Sequence, residues 1–305
     1  MAARFWRLIL SAALALAAAS GAVLSRAFSL PVSAAPALAL GMLLAMPVAL
    51  VLLSGVIAQT AADDRRARRS ARNVAHALLG EIAEFTLAVL AMSASAGPQQ
   101  PAQGRPAARA ARPVLLLHGI LCNHRVWRVL QKRLHTAGFG PIEALDVEPL
   151  LVDIEVHASR VAPHLLALQS RCSGERVVII AHSMGGLIAR TLLRDLGAGV
   201  IRRIVTIASP HHGTALVRGL PWPNTRQMSR VSPWLRTLNA AQEGRFTVPI
   251  SSIYSLEDNL VAPAGSARLQ GAELHEVRGV GHFGTLRSQG VLDCVIATLS
   301  QEYPT

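Results

Sequence analysis

The chain opens on two long apolar runs, 5–24 and 34–58, the first interrupted by Arg7, joined by a short segment, 25–33, that carries one charge, Arg26. Each is close to the roughly 20 residues a helix needs to cross a hydrocarbon core. Two such runs with a nearly uncharged connection predict a transmembrane helical hairpin; a cleaved signal peptide would have a shorter apolar stretch and no second run behind it. A pair of buried core helices is the other arrangement the pattern allows. A third stretch, 74–92, is apolar except for His76, Glu81 and Glu84. Two mid-segment carboxylates each cost roughly 2.5 kcal/mol or more on membrane insertion, so this stretch is read as an amphipathic helix lying in the interface or packed in a small bundle, with a third span as the alternative. Residues 93–112, with Gly97-Pro98-Gln99-Gln100-Pro101 and Arg105-Pro106, show no hydrophobic periodicity and read as a linker.

From 113 onward short apolar runs alternate with longer mixed stretches. The pattern predicts strands at 114–117, 142–147, 176–181, 201–208, 248–254 and 273–277, with helices at 125–136, 156–169, 185–196 and 288–301. Strands separated by helices of this length imply a mainly parallel sheet of about six strands covered by helices, the α/β class. Residues 215–245 interrupt the alternation with Leu220-Pro221-Trp222-Pro223-Asn224, Met228 and Trp234-Leu235. They form either a cap or lid whose apolar side chains line a pocket, or a surface helix packed on the core. The organisation expected is a membrane-anchoring region, 1–92, the linker, 93–112, and a domain over 113–305.

Composition sharpens the membrane reading: 51% of residues are hydrophobic and 16% charged. The net charge of +12 is concentrated at the front, because residues 1–112 hold 11 Lys+Arg and 4 Asp+Glu, or +7. Much of that lies in Asp63-Asp64-Arg65-Arg66-Ala67-Arg68-Arg69-Ser70-Ala71-Arg72, beside the second apolar run. Basic residues flanking a span mark its cytoplasmic side, and Arg4 and Arg7 place the N-terminus there too; two spans therefore leave the domain facing the cytoplasm, and a third span would reverse it. No zinc-finger, basic-zipper or helix-turn-helix spacing accompanies the charge, so nucleic acid is not an expected partner. Cys122, Cys172 and Cys294 are odd in number and widely spaced, which indicates neither a disulfide framework nor a metal site. No metal or cofactor is expected.

The chemistry concentrates around Val177-Val178-Ile179-Ile180-Ala181-His182-Ser183-Met184-Gly185-Gly186, which places a serine between a buried strand and a helix with small residues on either side. A serine there sits on a sharp, strained turn with its hydroxyl exposed at the sheet edge, and the following helix aims its N-terminal N–H groups at the same point. An ordinary N-cap serine is the plain alternative. His118-Gly119 follows the first strand and opens on the same edge, so the amides of Ile120 and Met184 are candidate oxyanion donors, with His118 a structural imidazole. A nucleophilic serine needs a base and an acid that orients the base, in the chain order Ser, Asp/Glu, His. Asp258, in the loop after the fifth strand, is the candidate acid, with Glu257 as alternative. His282, in the loop Gly279-Val280-Gly281-His282-Phe283-Gly284 after the last strand, is the candidate base. His275 lies within a strand, and His211 and His212 are expected to shape the loop after the fourth.

Taken together, Ala181-His182-Ser183-Met184-Gly185-Gly186, the His118-Gly119 loop, Ser209-Pro210-His211-His212-Gly213-Thr214, Asp258-Asn259-Leu260-Val261 and Gly281-His282 resemble bacterial lipases and esterases of the α/β-hydrolase superfamily, over about 113 to the C-terminus. Two features depart from that pattern: Ala181 stands in place of the first glycine, and no earlier strands precede 113. The resemblance implies carboxylic-ester hydrolysis by a Ser183, Asp258, His282 triad through an acyl-enzyme, on lipid-like or other esters, at a bacterial inner membrane. An acyltransferase or thioesterase with the same triad, and an inactive membrane-anchored binding module, are the rival expectations.

Overall fold

The computed structural model describes residues 1–31, 33–61, 70–94, 111–242 and 245–302. Most of the expected linker and of the basic cluster at 63–72 lie outside the described residues. Helices α1 (Ala2–Ala27), α2 (Ala34–Thr60) and α3 (Ala71–Ser93) are each long and apolar enough, by length and composition, to cross a membrane. Helices α1 and α2 form the hairpin, and small residues set how closely they cross. A Cβ on Gly21 would stand 2.6 Å from the Ala35 carbonyl oxygen and 3.2 Å from the Ala39 nitrogen. Ser70 caps α3, its hydroxyl accepting the Asn73 N–H at 3.0 Å.

Six strands follow: β1 (Val114–Leu117), β2 (Ile142–Leu145), β3 (Val177–His182), β4 (Ile201–Ile207), β5 (Ile250–Ser255) and β6 (Glu273–Val277). They form one sheet in the order β2-β1-β3-β4-β5-β6, parallel throughout. The chain moves outward from β1 to β2, then returns past β1 to lay down β3 on its other side. This reversal opens a crevice at the carboxyl ends of β1 and β3, where an open α/β sheet binds its ligands.

Both faces of the sheet are covered, which is why β1 and β3 are apolar at every core position. Alternate side chains split between two layers. Leu115, Leu117, Ile179 and Ala181 pack with α5 (Ile154–Arg171) and α6 (Met184–Leu196). Val114, Leu116, Val178 and Ile180 pack with α4 (Arg128–Thr136) and α9 (Gln289–Glu302). Val89 and Met92 of α3 belong to this second layer, and Asn123 donates to the Met92 carbonyl at 3.0 Å.

Three elements differ from the sequence pattern. The helix expected from 125 begins as a 3-10 turn, His124–Trp127, because the Asn123 side chain accepts the Arg125 N–H. Strand β2 ends at Leu145 because Asp146 accepts the His124 amide and the Val147 amide turns to the His118 ring. The 215–245 region divides into a 3-10 turn Ala215–Val217, α7 (Pro223–Gln227) and α8 (Pro233–Gln242). Its first part borders the crevice, whereas Leu235 and Leu238 of α8 are buried in the first core layer.

Candidate active site

Ser183 joins β3 to α6 with φ 56° and ψ −126°, a left-handed conformation that is costly for any residue with a Cβ, of order 1–3 kcal/mol. The surroundings leave no relaxed alternative. A Cβ on Gly185 would collide with the Leu117 carbonyl oxygen, so β1, β3 and α6 come this close only with glycine there. The His118-Gly119 loop lies directly against the serine: a Cβ on Gly119 would stand 2.8 Å from Ser183 Cβ. Neither the Ile120 nor the Met184 amide has a protein acceptor among the described residues, as a pair of oxyanion donors requires.

Asp258 and His282 are almost fully buried and meet across the loops that follow β5 and β6. His282 Nδ1 lies 2.9 and 3.1 Å from the two Asp258 carboxylate oxygens. An ionised carboxylate only accepts, so Nδ1 is the donor and Nε2 is left as the free, basic nitrogen. Asp258 Oδ1 also accepts the Leu260 and Val261 amides at 2.8 Å each, which fixes the carboxylate before the imidazole arrives. Burial pulls the His282 pKa down, but the charge and hydrogen bond of Asp258, with the charge of Glu81, outweigh it and hold the imidazole above its ordinary value. Ser183 and His282 line one cavity of about 210 Å³ with Gly119, Ile120, Leu216 and Leu260. No hydrogen bond closes between the serine hydroxyl and the imidazole; such contacts commonly tighten only when substrate is bound.

The other candidates are engaged elsewhere. Glu257 accepts the Gly279 amide at 2.9 Å and braces the base of the His282 loop. His118 accepts the Val147 N–H at Nε2 and donates from Nδ1 to the Gly119 carbonyl, a neutral imidazole that ties the β1 loop to the end of β2. His211 bonds Thr206 beneath the sheet edge, His212 approaches Asn239, and His275 stays within β6.

Four residues without an assigned role in the sequence reading complete the His282 loop. Asn259 Oδ1 accepts the His282 amide at 3.1 Å, and its Nδ2 donates to Ser54 Oγ of α2 at 2.8 Å. Glu81 of α3 accepts the Phe283 and Gly284 amides at 2.8 and 2.9 Å, one on each oxygen. A Cβ on Gly281 would lie 2.5 Å from Glu81 Oε2, so the signal available in the sequence was a glycine directly before the histidine. His182, its ring 4.6 Å from that of His282, donates to the His282 carbonyl; burial first, then the His282 charge, push it well below its ordinary pKa and keep it neutral.

A serine on a left-handed strand-to-helix turn, with an imidazole and carboxylate converging on it from the last two loops of a parallel sheet, is a known constellation. The carboxy-terminal domain has the α/β-hydrolase fold. A PGAP1-like alpha/beta domain matches residues 142–224, a stretch of the α/β domain that contains Ser183 and ends before Asp258 and His282. Aspergillus fumigatus lipase B superposes with a TM-score of 0.57 at 21% identity, over 68% of this chain and 55% of the fungal one. The chain thus spans about half the length of that lipase. The mature form of Bacillus licheniformis lipase BlEst2 superposes with a TM-score of 0.55 at 15% identity, over 66% of this chain and 96% of its own. No curated protein sequence matches the chain. At these identities the likeness is one of fold: the α/β-hydrolase fold that these lipases share, preceded by three long apolar helices.

Proposed function

We propose that the protein is a membrane-anchored serine hydrolase that cleaves carboxylic esters of lipid-like substrates. The observation that carries this reading is the His282 imidazole, oriented by Asp258 and lining one cavity with the strained Ser183. His282 Nε2 takes the Ser183 proton as Oγ attacks the ester carbonyl, and the Ile120 and Met184 amides stabilise the resulting oxyanion. The imidazolium returns that proton to the departing alkoxide, leaving an acyl-serine. Water, deprotonated by His282, then attacks the acyl carbon; the carboxylic acid leaves and Ser183 Oγ recovers the proton.

Fluorophosphonate labelling of the full chain in detergent, followed by hydrolysis of p-nitrophenyl butyrate across pH 5–9, tests the assignment. Only neutral His282 can accept the serine proton, and Asp258 raises the pKa at which it becomes neutral. The expected kcat/KM therefore falls as pH drops, with its midpoint above the ordinary histidine value. An unlabelled protein, or a rate flat from pH 5 to 9, would show that the triad does not operate.

The membrane assignment rests on the hairpin. Both ends of the hairpin meet the hydrolase domain: Trp6 Nε1 donates to the Leu121 carbonyl and Ser54 accepts from Asn259, while the Phe28 to Leu30 tip is exposed. With α1 and α2 as spans and α3 held against the domain through Glu81 and the Glu84–Arg287 ion pair, the N-terminus and the domain share one side. The arginines that flank the spans in sequence support a cytoplasmic location for that side. In intact cells a membrane-impermeant maleimide is expected to label the tip variant Ser29→Cys and to leave the native Cys294 unreacted until lysis. Labelling of Cys294 in intact cells would reverse the topology.

A further inference from the structure

Between the hairpin and the hydrolase domain lies a second cavity, of about 290 Å³, walled by Leu50, Leu53 and Ile57 of α2, by Phe85 of α3 and by Leu216, Leu260 and Phe283 of the domain. The last three also line the Ser183 cavity. The two spaces meet at these three apolar side chains, which form a partition between them. Phe283 holds its place in the partition through an edge-on contact with Phe85, ring centroids 5.3 Å apart.

The chemistry of the walls selects the occupant. Three polar side chains border the cavity, and protein groups already engage each of them: Ser54 and Asn259 bond one another, Asn259 also holds the His282 amide, and Glu81 uses both oxygens on the Phe283 and Gly284 amides. Each is thus already engaged by the protein rather than presented to a ligand. The remaining lining is aliphatic and aromatic. Leu50 and Leu53 are 48% and 59% exposed, and they continue the apolar surface that α2 presents along its length at Leu40 and Leu44. A cavity open along a membrane-spanning helix at one end and adjoining a nucleophile at the other fits an extended hydrocarbon chain arriving from the bilayer.

We infer that this space is an acyl-binding site, in which a fatty-acyl chain of a membrane lipid ester lies between α2 and the Leu260–Phe283 wall while its carbonyl reaches Ser183. The inference rests on the ester-hydrolase reading and adds to it that the anchor itself builds part of the substrate site. A lipid already in the bilayer gains little from moving its methylenes into such a site, so the groove acts as a guide and a length gauge more than as a source of affinity.

The test uses the full chain in phosphatidylcholine nanodiscs with p-nitrophenyl butyrate and p-nitrophenyl palmitate. Leu53→Trp fills the groove and is expected to lower the ratio of palmitate to butyrate kcat/KM at least tenfold. In parallel, a palmitate ester carrying a terminal diazirine is expected to cross-link wild-type protein within residues 50–57. This second readout does not depend on a variant folding. An unchanged ratio in a folded Leu53→Trp protein, or cross-links confined to the 215–245 region, would overturn the acyl site while leaving the hydrolase reading intact. Wild-type protein that cleaves neither ester and resists fluorophosphonate overturns both.

Discussion

Ser183→Ala is expected to abolish fluorophosphonate labelling and to lower ester hydrolysis by about 10⁶-fold, with the melting temperature essentially unchanged. The reason for that separation is local. Alanine occupies the same left-handed turn at the same conformational cost, and Ser183 Oγ makes no hydrogen bond that the fold relies on. What disappears is the atom that attacks. His282→Ala should cost about as much, and the double variant no more than either single one, because the pair acts as a unit. Asp258→Asn separates orientation from attack. Its Oδ1 can still accept the Leu260 and Val261 amides, which turns its NH₂ toward His282 Nδ1. The imidazole must then accept at Nδ1 and carry its proton on Nε2, the wrong tautomer for a base. A loss of about 10⁴-fold with an intact fold is expected. Near wild-type turnover by Ser183→Ala would exclude it as the nucleophile.

The second large effect lies outside the three proposed triad residues. Glu81→Gln is expected to lower kcat for p-nitrophenyl butyrate by about 10- to 100-fold with little change in KM, since small displacements of a catalytic group cost on that scale. Glutamate gives one oxygen to the Phe283 amide and one to the Gly284 amide; glutamine supplies one acceptor and turns an NH₂ against the other N–H. A buried amide left unpaired costs about 1–3 kcal/mol, and the relief available is movement of the segment that carries His282. Glu84→Gln is the control. It removes the ion pair to Arg287 from the same helix without touching the His282 loop, and should alter kcat less than about threefold. Equal losses in both variants would show that docking of α3 alone matters.

A pH profile separates these further. On the proposed topology, which keeps α3 outside the membrane, burial pushes the Glu81 carboxyl up to about 7, against the lowering effect of the Phe283 and Gly284 hydrogen bonds. Protonation places an O–H where an acceptor is needed, so the clamp is complete only above that value. His282 must also be neutral to act, so both groups favour activity at higher pH. Glu81→Gln removes one of the two, leaving a low-pH limb set by His282.

The parallel α/β architecture could be read from the sequence because its causes are local. Short apolar runs such as β1 and β3 had to be buried on both faces, the intervening helices were long enough to cover them, and Ser183 stood between a strand and a helix among residues too small to obstruct the turn. Asp258 and His282 followed from chain order and from their position in loops after strands, which a parallel sheet brings to one edge. The roles of Glu81, Ser54 and Asn259 could not be read that way. Glu81 lies 202 residues before the Phe283 amide it accepts, and Ser54 lies 205 before Asn259. In sequence, Glu81 was only an insertion penalty in an apolar helix. It took the folded chain to place that carboxylate against Gly281, Phe283 and Gly284 of the His282 loop, where burial and two amides define its role. The 215–245 region shows the same limit: its apolar residues must be buried somewhere, but which of them face the Ser183 cavity and which face the core depends on the angle at which each short helix docks.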